Sequence, residues 1–440
     1  MRACFDTIAD HVQSALSGNE GFTLGLSGER SDFARLNEAR VRQLGSVQQC
    51  TAKIRLIDGQ RHASFEVTLS GVRNSDLARI DQAMASLRDV LPHLPDDPHL
   101  LLNETPSSSN DDLARALPDA AGMVDALLQE GRGTDLVGIV ASGSVYRGFA
   151  NHFGQRNWFS RSSFNLDWCL VHDADKAVKV NLADFEFDRT TLQQRMADAR
   201  RQLEVMRRPS RTITPGTYRA WLTPSAVSEV LGVLKWGGFS LKSIKTGHSP
   251  LRRFWGGEDS LADGVHITED VAGGIAPDFQ GDGFRRPAQV KLFENGQMVG
   301  ALASPRSAQE YGVPTTGAAA NELPGSLALS AGDIATGTEL ARLDTGLFIG
   351  NLWYTNFSDR TACRITGMTR FATFWVEDGE IVCPVNVMRF DETLGQLLGA
   401  GLEGLSATAD FQPSNMTYLQ RSTQSVRCPG ALISGIRFTL

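Results

Sequence analysis

The stretch from Ala341 to Phe390 constrains the fold more than any other. Its first half reads Ala-Arg-Leu-Asp-Thr-Gly-Leu-Phe-Ile-Gly-Asn-Leu-Trp-Tyr-Thr-Asn-Phe-Ser-Asp-Arg. Its second half runs through Arg-Phe-Ala-Thr-Phe-Trp-Val-Glu-Asp-Gly-Glu-Ile-Val-Cys-Pro-Val. Aromatic and β-branched residues crowd both halves, as strands prefer. Asp378-Gly379 separates two such runs, and a type I′ hairpin turn needs positive φ at both central residues. Alternation puts Phe371, Thr373 and Trp375 on one face and Ala372, Phe374 and Val376 on the other. Both sets are largely apolar, so this hairpin is expected at the centre of a β-core, covered on both sides.

The N-terminal half reads as mixed helix and strand. Ile8, Val12 and Leu16 have helical spacing within Cys4–Leu16, and Phe22–Leu26 alternates as a strand. Arg40–Leu69 reads as a β-meander turning at Asp58-Gly59. A helix capped by Asn74 or Ser75 follows, with Leu77, Ile80, Met84, Leu87 and Leu91 as its stripe. Pro92–Asp112 holds four prolines and reads as a surface loop. Leu113–Glu130 is expected as a helix using Leu113, Leu117, Val124, Leu127 and Leu128. Asp135–Ala150 and Asn157–His172 are expected as a long hairpin. Thr190 or Thr191 starts a helix with Leu192, Met196, Leu203 and Met206 buried. Strands joined by hairpins rather than crossover helices make an α+β fold. A chain of 440 residues favours two domains, placed at 1–208 and 209–440, the second β-rich, with Arg207–Pro215 as the linker.

Composition removes several classes of function. A net charge of -7 and a pI near 5.7 give no global basic field for nucleic acid. No run reaches the ~20 apolar residues of a membrane span, and the start lacks the apolar core of a signal peptide. Six scattered cysteines without Cys-x-x-Cys read as reduced thiols. The expectation is a cytoplasmic protein.

In the second half, Thr217–Leu222 reads as a strand and Thr223-Pro224 opens a helix running to about Trp236. Gln289–Phe293, Asn295-Gly296 and Gln297–Leu302 form a second hairpin signal. The order of Thr345-Gly346-Leu347, Asn356-Phe357-Ser358, Trp375-Val376-Glu377-Asp378-Gly379-Glu380 and Cys383-Pro384-Val385 resembles the C-terminal signature of the TldD/PmbA family. That family is often labelled modulator of DNA gyrase and contains zinc metallopeptidases. The resemblance is sharpest from Pro215 to Val387. It implies that the helix after Thr223 carries His-Glu-x-x-x-His in peptidase members: two histidines bind zinc and the glutamate activates a water. Here the aligned hexad is Ser228-Glu229-Val230-Leu231-Gly232-Val233. The glutamate stays, but Ser228 and Val233 replace both histidines, and no histidine lies between His172 and His248.

Other candidates are weaker. His248 and His266, with Glu258, Asp259, Asp263, Glu269 and Asp270, lie in a Gly-rich segment without fixed ligand spacing. Cys428 reads as an inert thiol, and Gly273-Gly274 and Gly281-Asp282-Gly283 as turns. Trp353, Tyr354, Asn356 and Ser358 are the positions named as peptide-facing, with core packing the competing reading for the two aromatics.

The resemblance implies a PmbA-type (TldE-like) chain without its own zinc. Such a chain pairs with a TldD-type chain carrying His-Glu-x-x-x-His and the zinc, and the pair processes unstructured peptides; a homodimer is the other assembly. The alternatives are an autonomous hydrolase with an atypical site around Glu229 and His248, and a regulatory protein that binds another protein. No direct contact with nucleic acid or membrane is expected.

Overall fold

The structure is a computed structural model describing residues 1–113, 119–173 and 176–439. Among these the strands form two sheets, one of seven and one of eleven, so the fold is α+β as expected.

The first sheet uses the N-terminal half. Its elements are α1 (Arg2–Ser14), β1 (Gly21–Asn37), β2 (Arg40–Asp58), β3 (Arg61–Thr68), α2 (Arg73–Val90), β4 (Ser109–Leu113), α3 (Ala120–Glu130), β5 (Asp135–Asn151), β6 (Arg156–Asp173), β7 (Lys176–Asp184) and α4 (Arg189–Met206). The strand order is β3-β2-β1-β5-β6-β4, with β7 also on β6. Even-numbered positions of the long strands face the helices. Phe22, Leu24 and Leu26 of β1 pack against α1 and α2, while Ala34 and Leu36, further along, pack against α3 and α4. Odd-numbered positions face the C-terminal half. On this side Val145 and Phe149 of β5 and Phe159 of β6 meet Phe279.

Several boundaries differ from the sequence reading. Helix α2 begins at Arg73 with Val72 at its cap, and neither Asn74 nor Ser75 caps it. Instead the buried Asp76 carboxylate accepts hydrogen bonds from the Ser70 and Gly71 amides at 2.7 and 2.9 Å. The end of the expected surface loop is β4, a parallel edge strand on β6. Leu113 therefore lies in a strand, and α3 starts seven residues later, capped by Asp119; Leu117 lies outside the described residues. Helix α4 is capped by Asp188, which accepts from the Thr190 and Thr191 amides at 3.0 Å each.

The C-terminal half holds β8 (Gly216–Leu222), α5 (Pro224–Leu234), α6 (Leu241–Lys245), α7 (Arg252–Trp255), β9 (Ile267–Asp270), β10 (Gln289–Glu294), β11 (Gln297–Met298), α8 (Pro305–Tyr311), β12 (Ser326–Leu329), α9 (Glu339–Leu343), β13 (Gly346–Asp359), β14 (Arg364–Glu377), β15 (Glu380–Pro384), β16 (Arg389–Thr393), β17 (Leu402–Pro413) and β18 (Ser425–Phe438). The sheet runs β11-β10-β9-β12-β18-β16-β14-β13-β8, and β18 also pairs with β8. That last pairing closes β8, β13, β14, β16 and β18 into a ring, which removes their free edges. The expected second hairpin strand is short, since β11 stops at Met298.

The β13–β14–β15 meander is the predicted hairpin centre. Asp378 and Gly379 take φ of 53° and 76°, as the turn requires. Strand β14 is buried on both faces: Trp375 joins the barrel core, whereas Ala372 and Phe374 join the cluster formed with α3, α4 and β6. Strict alternation fails at Phe371, whose φ of 58° marks a bulge where the β13 register shifts. A second bulge falls at Tyr354, with φ of 51°.

The two halves therefore share apolar clusters. Phe374 bridges to the N-terminal helices, and Phe411 and Ile275 meet Ala183 of β7. The segment 207–215 is docked as well: the Arg211 amide donates to the Pro384 carbonyl at 2.8 Å. Among the described residues no helix is long and apolar enough to cross a membrane.

Candidate functional site

Helix α5 starts where the sequence predicts. Thr223 accepts the Ala226 amide at 3.4 Å and donates its hydroxyl to the Gly350 carbonyl at 2.6 Å, with Pro224 in the first turn. Ala226, Val227, Val230, Leu231, Val233 and Leu234 are buried. The opposite stripe, Ser225, Ser228, Glu229, Gly232 and Lys235, follows at steps of three and four. That stripe forms one wall of a cavity of about 370 Å³.

The other walls come from both halves. Asp167 of β6 and Lys179 and Asn181 of β7 contribute the odd-numbered face of the first sheet; Asn351 of β13 and residues 412–416 contribute the barrel side. Lys179 Nζ lies 3.3 Å from Asp167 Oδ2, and Asn415 donates to the same oxygen at 2.9 Å. Asn181 donates to Asn165 at 2.7 Å, while its own carbonyl oxygen is buried with no partner among the described residues. Lys235 Nζ lies 3.5 Å from the Ser425 carbonyl.

Burial sets the electrostatics. Desolvation raises the Asp167 pKa, against the pull of Lys179. Desolvation also raises that of Glu229, opposed by Lys179 and by a hydrogen bond with Thr355, although Glu229 keeps one side open to solvent. Desolvation lowers Lys235, opposed by Glu269. The cavity thus pairs two carboxylates with two ammonium groups. It offers amide donors and acceptors suited to a polar chain.

Zinc does not fit these residues. Val233 has no lone pair and is 1% exposed within the barrel core. Ser228 and Glu229 face the cavity, but their neighbours there include two ammonium groups, which repel a cation. Among the described residues no group of three or more His, Cys, Asp or Glu is arranged to hold a metal.

The remaining candidates lie apart. His248 is exposed and bonds Thr246 at 3.0 Å, whereas His266 accepts the Asn295 amide at 3.4 Å. Asp259 is held by Arg253 at 2.7 and 2.9 Å, with Glu258 at 3.8 Å from the same arginine. Asp270 accepts the Gly273 amide at 3.2 Å, and Asp263 is exposed. Buried Glu269 accepts from Arg286 at 2.7 Å and from the Gly325 and Ser326 amides, which fixes the Pro-Gly loop. Cys428 is fully buried, its thiol donates to the Pro224 carbonyl at 3.2 Å, and burial pushes its pKa up.

Trp353 and Tyr354 are 42% and 70% exposed, with the Arg370 guanidinium 3.6 Å from the Trp353 ring centroid. Ser358 donates to Asp391 at 2.6 Å, and the Asn356 side chain accepts the Phe357 amide. None of these four lines the cavity, whose β13 wall is Asn351, while their neighbour Thr355 hydrogen-bonds Glu229. Sequence reasoning missed Lys235, which the helical stripe of α5 contains. It also missed Asp167 and Lys179, whose signal is a polar residue at alternate positions of otherwise apolar strands.

Comparison with known proteins agrees with this architecture. Residues 215–440, just over half the chain, match the family model described as PmbA/TldA metallopeptidase C-terminal domain. No curated protein matches. TldE from Thermococcus kodakarensis superposes with a TM-score of 0.76 at 13% identity, covering 99% of this chain and 100% of that one. A protein of Thermotoga maritima described as a modulator of a DNA gyrase gives 0.75 at 13% identity, with 100% of both chains covered. One of Bacteroides thetaiotaomicron with a like description gives 0.75 at 15%, covering 100% and 98%. At these identities the superpositions speak for the fold, and the family model for kinship: the chain belongs to the TldD/PmbA family, whose C-terminal domain is metallopeptidase-like.

Proposed function

We propose that this chain is the non-catalytic, TldE-like subunit of a two-chain zinc metallopeptidase. A TldD-type partner supplies His-Glu-x-x-x-His and the zinc, and the pair processes unstructured peptides. The observation that carries the reading is the face of α5. Ser228 and Glu229 look into the cavity between the halves, while Val233 is sealed in the barrel core. The helix that bears the metal ligands in peptidase members is retained as scaffold, without the ligands.

In this reading the cavity handles the peptide chain. Main-chain amides find acceptors at Asn181 and Asp167, and main-chain carbonyls find donors at Lys235 and Asn351. A narrow polar cavity excludes folded substrates because only an extended segment enters it. The metal's chemistry, polarising the scissile carbonyl and activating water, belongs to the partner.

A second reading, an autonomous hydrolase, draws on the raised pKa values of Glu229 and Asp167. Reconstitution separates the two. Both chains are co-expressed, sized by light scattering and assayed on an unstructured peptide. A mixed complex is expected, active only when both chains are present and insensitive to Ser228→Ala here. Full activity of the TldD-type chain alone, or peptidase activity of this chain alone that Glu229→Ala removes, contradicts the proposal.

A further inference from the structure

A second cavity opens on the same junction, and Gln424 lines both. It measures about 460 Å³. Phe149, Phe279, Pro277, Leu323 and Pro324 give it an apolar wall. Two glycines keep it open. A β-carbon at Gly25 would meet only the Lys53 carbonyl, at 4.0 Å, and one at Gly281 would meet nothing within 4 Å. Neither glycine has a left-handed φ, so neither is required by its backbone.

One cation of this cavity has no carboxylate in contact among the described residues. The Arg147 guanidinium bonds only backbone carbonyls, those of Tyr146 at 2.8 Å and Gly28 at 3.4 Å, and pairs with no carboxylate among the described residues. Desolvation lowers its pKa, against the attraction of Glu29 further along β1. Gln280 also lines the cavity and is 9% exposed. Its side-chain oxygen accepts the Asp282 amide, which fixes the orientation of the group. Its Nε2 has no partner among the described residues, but it also has no accessible surface and so does not open onto the cavity. Of the other charges at the cavity, Arg286 is held by Glu269 at 2.7 Å, while Lys53 and Glu66 are exposed and stand opposite each other in the β2–β3 register. One guanidinium without a contacting carboxylate thus remains beside an apolar wall. A desolvated cation that no carboxylate touches is costly.

We propose that this cavity binds a carboxylate carried on a compact apolar body, with Arg147 taking the carboxylate and the Phe149–Phe279–Pro324 wall taking the body. A planar carboxylate suits a guanidinium. Inorganic phosphate would leave the apolar wall empty. The carboxylate comes from a free organic acid or from the C-terminus of a short peptide. The inference does not rest on the peptidase reading, since it concerns this chain alone.

Calorimetric titration of the full chain tests it. The probes are N-acetyl-phenylalanine, the tripeptide Ala-Ala-Phe with a free C-terminus, and the C-terminal amide of each. At least one acid is expected to bind with a Kd below about 1 mM, a modest affinity for ligands of this size. Its amide is expected to bind roughly tenfold or more weakly, the scale of one charge-assisted hydrogen bond. Binding of the tripeptide alone assigns the site to peptide termini, and binding of N-acetyl-phenylalanine alone assigns it to free acids; either supports the proposal. Arg147→Gln should erase the preference for acid over amide. Gly25→Val, which adds a side chain to open space in a strand and leaves Arg147 in place, should abolish binding with the melting temperature retained. Equal binding of acid and amide, undiminished binding to folded Gly25→Val, or no binding of either acid at millimolar concentration overturns the proposal.

Discussion

The two junction cavities are built from the same parts and differ in charge balance. Each has one wall on the odd-numbered face of the first sheet and another from the C-terminal half, and Gln424 lines both. In the cavity beside α5, Asp167 and Glu229 face Lys179 and Lys235, and Asp167 is also bonded by Asn415. In the other, Arg147 contacts no carboxylate among the described residues and one wall is apolar. A balanced polar surface passes a varied chain without holding it; an unanswered charge on an apolar wall selects one ligand chemistry. The difference divides the labour proposed above between transit and capture.

The strongest way to break the comparison is to separate the walls. Phe374 is fully buried and belongs to the cluster shared by the barrel and the N-terminal helices. Phe374→Ala is expected to cost about 3–5 kcal/mol, read by denaturant unfolding, and to disturb both cavities together. Next is the loop between β17 and β18. The Arg421 guanidinium is buried and donates to the Gly143 and Ser163 carbonyls at 3.0 and 3.1 Å, and its backbone amide donates to Glu29 at 2.8 Å. Desolvation pulls its pKa down to about 10. Arg421→Met roughly keeps the volume and the backbone bond to Glu29 but removes the guanidinium's bonds. It should cost about 2–4 kcal/mol and expose the exposed Tyr418–Leu419 segment to proteolysis, with the core of each half intact.

The smallest effects carry opposite signs with pH. Glu322 is buried. Its burial would raise its pKa, but hydrogen bonds from Ser240, Ser307 and the Lys242 and Ser304 amides outweigh this and hold it below the ordinary value. A carboxylate with a depressed folded pKa stabilises above its unfolded pKa, and the contribution is lost as pH falls through the folded value. Glu322→Gln should therefore destabilise by about 1–3 kcal/mol at neutral pH and by less in acid. Glu229 is raised instead, so its ionisation costs stability as pH rises from its unfolded to its folded pKa. Because that side chain is solvent-exposed, Glu229→Gln should be neutral or stabilising by less than about 1 kcal/mol. Urea unfolding at acid and neutral pH measures both.

Much of this architecture was legible in the chain. The Asp378-Gly379 turn, the doubly buried β14 and the Thr223–Pro224 start of α5 follow from local chemistry, and the family resemblance from the order of the same pieces. What failed to show was tertiary in origin. β4 forms only because β6 offers an edge to Ser109–Leu113, and its sequence has no strand-like alternation. The cap of α2 comes from Asp76 reaching back to Ser70 and Gly71 rather than from the residues at the helix start. The ring closure by β8 and β18 joins strands about two hundred residues apart, which no local pattern encodes. Ser228 and Glu229 were singled out by the resemblance and line the cavity, but the Asp167 and Lys179 that line it with them meet them only after the halves pack.

The central claim is that this chain supplies cavity and scaffold while the metal stays with a TldD-type partner. Metal analysis of the purified chain, of the partner and of their complex tests it most directly. The account predicts no stoichiometric zinc on this chain alone and about one zinc per pair of chains in the complex, lost when the partner's motif histidines are replaced. About one tightly held zinc on this chain by itself, or two per complex, would contradict it.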